Sequence, residues 1–353
     1  MIVYIVNYLT FSLICILNKF GRLNKKFSCI LFALLQMVIV GFRHPLMGLH
    51  DTYFVFLRTL IRIYDLGLPF VQDYPKDPLF QYFTYFFTRI FGLNEPLYVF
   101  LFSMPYVIAI TYLIYKYSNN IFLSFVLFVS TQMFTISFTL MRQINAMSVL
   151  ILAFILLEHK KTKSFFILVI VSSFLHQASI AFLIVIFLLK LNKQRFVLLF
   201  PLLGISLSVF FTTFIQRFVH FVVDLNDRFD HMITGAEATN LTVFLIFTII
   251  TLAAFFFSRK TADVFLKKCI IISSFSLLFF SFTVINREFG RVGYLFFIFL
   301  LIAYPNSLEY IKAKEARLFV QFSSAVVLII YFLFFLIHTT GLYPYIPFWS
   351  FRS

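Results

Sequence analysis

The feature that most constrains this chain is the recurrence of apolar runs long enough to cross a bilayer. A hydrocarbon core of about 30 Å needs about 20 apolar residues in a helix. Stretches such as LYVFLFSMPYVIAITYLIY (97–115) and LFVQFSSAVVLIIYFLFFLIH (318–338) meet that length. With 61% hydrophobic and only 12% charged residues, a water-soluble fold has nowhere to hide the apolar surface. The chain is therefore expected to be an all-α integral membrane protein, a polytopic bundle of roughly 10–12 transmembrane helices. Candidate spans are 2–17, 28–42, 97–115, 121–139, 143–157, 196–213, 241–257, 269–285, 292–305 and 318–338. The first shows no signal-peptide cleavage pattern and reads as a retained helix. The three cysteines, Cys15, Cys29 and Cys269, lie far apart in apolar segments and read as packing residues. No phosphate-binding loop or dinucleotide fingerprint is present, which argues against ATP-driven transport by this chain alone.

Orientation follows from the basic loops. NKFGRLNKK (18–26), HKKTK (159–163) and SRKTADVFLKK (258–268) are lysine-rich, as are 190–195 and 311–317, and the positive-inside rule assigns them to the cytoplasm. The chain then reads as a single polytopic membrane domain, 1–353, with outer-face segments 43–96 and 214–240. Two segments break the count. The run 164–189 begins and ends beside basic loops, yet is too short for two full crossings at 1.5 Å per residue. It reads as a hairpin of two short helices with FLHQAS (174–179) at its tip. The run 79–92 reads as a buried or interfacial helix on the outer side. Irregular backbone survives at membrane depth only where protein or a water-filled cavity satisfies it, so both point towards an outward-facing cavity. Amphipathic outer-face helices are expected around Arg58 and Arg62, and over 216–232.

The charges then sort by type. Every lysine except Lys76 falls on the cytoplasmic side. Arg43, Arg58, Arg62, Arg89, Arg142, Arg217, Arg228, Arg287, Arg291 and Arg352 fall on the outer side. Topology rules exclude lysine from the outside but do not explain why arginine is kept there. The guanidinium fork matches phosphate geometry, so this face suits a phosphate-bearing ligand. Arg142 and Gln143 interrupt an apolar run, FTLMRQINAMSVLILAF (138–154), where an ionisable residue marks a functional site and needs a partner. Three further clusters share that side: GFRHPLMGLHDTYFVF (41–56), His176–Gln177, and INREFGRVGYLF (285–296).

At these residues the chain resembles a known family. G-x-x-D-T-Y (Gly48, Asp51, Thr52, Tyr53), RQ-x-x-A (Arg142, Gln143, Ala146), F-L-H-x-x-S (Phe174, Leu175, His176, Ser179) and R-x-x-Y (Arg291, Tyr294) follow in the order seen in the EpsG-like group. That group is similar to the Wzy O-antigen polymerases. The sequence departs from the pattern at His50, where a small residue is commoner.

The resemblance implies a membrane glycosyltransferase that joins oligosaccharide repeat units into O-antigen or exopolysaccharide. The units are carried on undecaprenyl pyrophosphate at the periplasmic, outer face of the bacterial inner membrane. Departure of the pyrophosphate needs its developing charge neutralised. Arg142, Gln143, Arg291 and Tyr294, with Arg43 or Arg287 assisting, are the expected substrate-binding residues. His176, Glu288 and Asp51 are the candidates for the group that takes the acceptor proton. No metal and no cofactor are expected; the acidic run DLNDRFD (224–230) lacks calcium-loop spacing. Expected partners are the lipid-linked glycan, the lipid bilayer and a chain-length regulator, with no nucleic acid. The rival readings are a transporter or flippase of the same lipid-linked oligosaccharide, and an acyltransferase that decorates the polysaccharide. The first would show paired halves; the second would give His176 an acidic neighbour.

Overall fold

The computed structural model describes residues 1–44, 47, 55–73, 76–190, 196–223, 238–284, 288–338, 342 and 344–351. Among these the regular structure is helical, with no strand. The first part of the chain forms α1 (Ile2–Lys19), α2 (Lys25–Gly41), α3 (Arg58–Leu66), α4 (Leu68–Asp73), α5 (Pro78–Phe91) and α6 (Glu95–Tyr117). Then come α7 (Ile121–Ser130), α8 (Gln132–Thr139), α9 (Met141–Glu158) and α10 (Thr162–Leu175). A 3-10 segment, Gln177–Ile184, leads into α11 (Val185–Lys190) and α12 (Phe196–Val223). The last are α13 (Ala238–Ser258), α14 (Val264–Ser281), α15 (Glu288–Phe297), α16 (Leu300–Leu308) and α17 (Lys314–His338).

Helices α1, α6, α9, α14 and α17 are each long and apolar enough to cross a bilayer. The number rises to seven if α7 with α8, and α15 with α16, each make one bent span. Shorter apolar helices lie at Thr162–Leu175, Gln177–Lys190, Phe196–Phe210 and Thr242–Ser258. This is an all-α, multi-pass membrane protein. The chain separates into two compact units, Met1–Ile180 with Leu318–Ser353, and Ala181–Arg317.

In the first unit the apolar core gathers around α1, α2, α6, α7 and α9, where Phe32 stacks on Phe125 with ring centroids 3.6 Å apart. The expected span 121–139 is bent by 50° between α7 and α8. Thr131, at the break, is extended. Its hydroxyl accepts from the Met133 amide, the Tyr106 hydroxyl donates to the Met133 carbonyl at 2.9 Å, and the Tyr8 and Ser130 hydroxyls pair at 2.7 Å. The Thr131 hydroxyl thus takes an amide that the bend frees, as irregular backbone inside a bilayer requires, and side chains of α1 and α6 add polar contacts on either side of it.

The helix expected over 79–92 is α5. One face buries Phe80, Gln81, Thr84, Phe87 and Thr88, and the other exposes Tyr82, Phe83, Phe86 and Ile90. Helix α3 has the amphipathic character read from Arg58 and Arg62: both are exposed, while Leu60 and Ile63 are buried. It ends at Gly67, whose φ of +68° suits glycine. A side chain there would also collide with the Arg89 guanidinium, 2.7 Å from the Cβ position.

In the second unit α14 is central. Gly204 lets α12 approach it so closely that a Cβ would lie 3.1 Å from the Leu278 backbone. Phe247 of α13 stacks on Phe297 of α15 at 3.9 Å. Helix α12 continues unbroken to Val223. The first half of the separate helix expected over 216–232 is therefore the end of α12; residues 224–230, with the acidic run, lie outside the described residues.

Candidate functional site

Three helix ends of the first unit meet at one carboxylate. Asp77 precedes Pro78, the first residue of α5. It is fully buried, with backbone in the left-handed region at φ 53°, ψ 56°. That conformation is unusual for a residue with a side chain, and the following proline disfavours it further. Such positions store about 1–3 kcal/mol of strain and persist where the surroundings over-determine them. The Asp77 side chain does not cap its own helix. Its Oδ2 lies 2.8 Å from Nη1 of Arg142, and its Oδ1 accepts the Gln177 backbone N–H at 3.1 Å.

Arg142 stands in the first turn of α9. A cation there opposes the helix dipole, and its side chain is only 14% exposed. Both facts demand an anionic partner, and Asp77 supplies it. The guanidinium also lies over the Phe56 ring, 5.4 Å from its centroid. Phe56 joins Leu60, Phe80, Tyr98, Met141 and Leu175 in one buried cluster, so the ion pair rests on an apolar floor built from α3, α5, α6, α9 and α10.

The third end is the break of α10. His176 leaves the helix with extended backbone, φ −157° and ψ 113°, and the 3-10 segment starts at Gln177. The amide freed at Gln177 is the one Asp77 takes. The side chain of His176 stands at this break, with both ring nitrogens shielded from solvent. The segment 174–179, expected as the tip of a helical hairpin, holds a helix break with His176 at it.

Two small residues set where this break falls. Ala146 is fully buried, and its carbonyl accepts the Ser172 hydroxyl of α10 at 3.1 Å. Ser172 lies one turn before His176 and accepts its N–H at 2.9 Å. The close seam between α9 and α10 thus brings the end of α10 to the start of α9. Asn145 adds a tie to α6, donating to the Phe102 carbonyl at 2.8 Å beside Pro105. Gln143 is buried, with Nε2 4.0 Å from Met147 Sδ.

Arg43 is fully buried. Its guanidinium donates to the Val40 carbonyl, to Ser103 Oγ and to the Phe138 carbonyl, and lies over the Phe138 ring. Its backbone pairs with Pro347. It clamps α2, α6, α8 and the C-terminal segment together. Arg291 and Tyr294 belong to the second unit, three residues apart on α15, and both are half-buried. Tyr294 packs edge-on against Phe280 with centroids 5.1 Å apart. Glu288 is the first residue of α15. Asp51 and Arg287 lie outside the described residues.

Residues 25–348 match the family model described as the EpsG family. The chain belongs to the EpsG family. Searches of curated proteins and of solved structures return no match. EpsG membership points to a polysaccharide-polymerase-like, glycosyltransferase-like function in a multi-pass membrane protein. Of the motifs that carry the resemblance, RQ-x-x-A and F-L-H-x-x-S come together at the Asp77 carboxylate. Within this EpsG-family chain, Asp77 is the residue the motif reading passed over. Its signal was present: an acid directly before proline, in a segment assigned to the same side as Arg142, when an enclosed arginine requires a counter-charge.

Proposed function

We propose that this EpsG-family protein joins oligosaccharide repeat units, each carried on undecaprenyl pyrophosphate, into a surface polysaccharide at the outer face of the bacterial cytoplasmic membrane. The observation that carries the reading is the Arg142–Asp77 pair beside the break at His176. Asp77 is wholly enclosed while Arg142 keeps part of its side chain open. Of the pair, the cation is the partner left partly exposed, and a leaving pyrophosphate requires a cation.

In the proposed reaction the acceptor hydroxyl oxygen attacks the anomeric carbon of the growing chain. The bond from that carbon to the pyrophosphate oxygen breaks, and the lipid pyrophosphate leaves with the electron pair. Arg142, with Gln143, is assigned to that developing charge. The acceptor proton goes to a base, with His176, Glu288 and Asp51 as candidates. His176 is the preferred one, because neutral imidazole accepts a proton near neutral pH. The guanidinium of Arg43 is taken up by protein groups, which favours a supporting role over direct ligand contact.

An acyltransferase would pair His176 with an acid, which the adjacent sequence does not supply. In space the Asp77 carboxylate meets the amide of the next residue, Gln177. Its two oxygens, however, meet Gln177 N–H and Arg142, and the family membership favours chain polymerisation. Deletion of the gene tests the proposal. Loss of a polymerase leaves single lipid-linked units on the outer surface. Units retained on the inner surface point instead to a flippase, and full-length undecorated polymer to an acyltransferase.

A further inference from the structure

We propose that Asp77 is the positioning residue of this site, a clasp that holds the Arg142 guanidinium and the His176 break in one fixed arrangement. The inference deepens the polymerase reading and rests on it for the substrate. Four observations carry it. The carboxylate is fully buried, so it acts through other groups and not on the ligand. Its two oxygens go to two different elements, Oδ2 to Arg142 on α9 and Oδ1 to the Gln177 amide after α10. The residue forgoes capping its own helix and holds a left-handed backbone before proline to do so. The pair buries its anion completely and leaves the cation 14% exposed.

A second fastening, from the Ser172 hydroxyl to the Ala146 carbonyl, holds α9 and α10 one turn deeper. The seam fixes the two helices against each other, and Asp77 fixes the orientation of what they carry at the end. Without the carboxylate, Arg142 would keep its position along the chain but lose the anchor that aims its fork. The His176 turn would lose the bond on the amide that follows it.

Two substitutions separate the arms of the clasp. Asp77→Gly suits the left-handed backbone and removes both arms. Asp77→Asn also tolerates that backbone and keeps an oxygen for the Gln177 amide, but removes the charge that holds Arg142. Hydrogen exchange of the peptide spanning 174–180 is measured on full-length protein in nanodiscs. Polymer formation is measured in a deletion strain, and thermal midpoints identify any variant that fails to fold. We expect Asp77→Gly to raise exchange at 174–180 at least fivefold and to abolish polymer. Asp77→Asn keeps parental exchange and still lowers polymer at least tenfold. Combining Asp77→Asn with Arg142→Gln lowers it no further than Arg142→Gln alone, as groups acting through one another do.

Unchanged exchange in Asp77→Gly, parental polymer in Asp77→Asn, or independent losses in the double variant would each overturn the clasp. A merely structural role would instead make polymer follow the thermal midpoint in every variant, which also overturns it. If exchange responds as expected but the parental chain fails to restore polymer to the deletion strain, the polymerase reading falls and the clasp stands.

Discussion

The Arg142 guanidinium and the Asp77 carboxylate meet at 2.8 Å, with the acid wholly enclosed and the base nearly so. The two are far apart in sequence, and neither position is stable alone. Arg142 would be a cation at the positive end of a helix, and Asp77 a strained, desolvated anion. Removing one member leaves the other without its counter-charge, most severely when it is the fully enclosed acid that is left. Activity measurements on either residue therefore need a stability measurement beside them.

Arg142→Lys keeps the charge but not the fork. Lysine presents a point charge and cannot bridge two phosphate oxygens in one plane. We expect folded, membrane-inserted protein with elongation slowed about a hundredfold, the effect of losing one donor to a developing charge. Chain extension from a lipid-pyrophosphate donor in membranes is the measurement. A lysine variant with near-parental extension would mean that charge alone suffices.

His176→Gln tests the base. Glutamine retains hydrogen bonding but does not accept the acceptor proton at neutral pH. We expect loss of polymer with donor binding unchanged. Parental polymerisation by an inserted variant would remove His176 from that role and leave Glu288 and Asp51.

Ala146→Leu probes the seam between α9 and α10. Ala146 has no exposed surface, and the Ser172 hydroxyl sits on its carbonyl. A larger side chain forces the helices apart, at about 1–3 kcal/mol, and displaces His176 relative to Arg142. We expect a lower thermal midpoint together with reduced polymer. Ala146→Ser, close in volume, is expected to retain most of both.

Reporter fusions test the topology. Fusions at Tyr117 and Lys160 are expected to score cytoplasmic, the first beside Lys116 and the second within the lysine-rich turn 159–163. In the structure these turns are near each other: Lys116 Nζ lies 2.8 Å from His159 Nε2. An external score at Tyr117 would make α5 a full crossing and reverse the early part of the chain.

Several elements were legible because they depend on local pattern. Apolar length and basic flanks placed the spans: eight of the ten runs are single helices, and 121–139 and 292–305 are each a bent pair. The break at His176 was legible from an arithmetic conflict between segment length and loop charge. The bend at Thr131 was not: no proline or glycine marks it, and it is held open by Tyr8 and Tyr106 from other helices. Arg43 reads as an assisting phosphate ligand from its place among polar residues at the mouth of the helix over 28–42. Its enclosure by Val40, Ser103 and Phe138 depends on three helices arriving together.

The sequence by itself determined that this chain is a helical membrane protein, and that Arg142 and His176 are polar groups where apolar ones would serve. Those conclusions follow from hydropathy and charge, which are properties of the residues one at a time. Only the tertiary structure decided that one acid, Asp77, answers both. A counter-charge is chosen by distance, and distance between α5, α9 and α10 is set by the packing of Ala146 against Ser172 and of Phe80 against Phe102. Nothing in the spacing of Asp77, Arg142 and Gln177 along the chain encodes that meeting, because it arises when three separate helix ends are buried at one point.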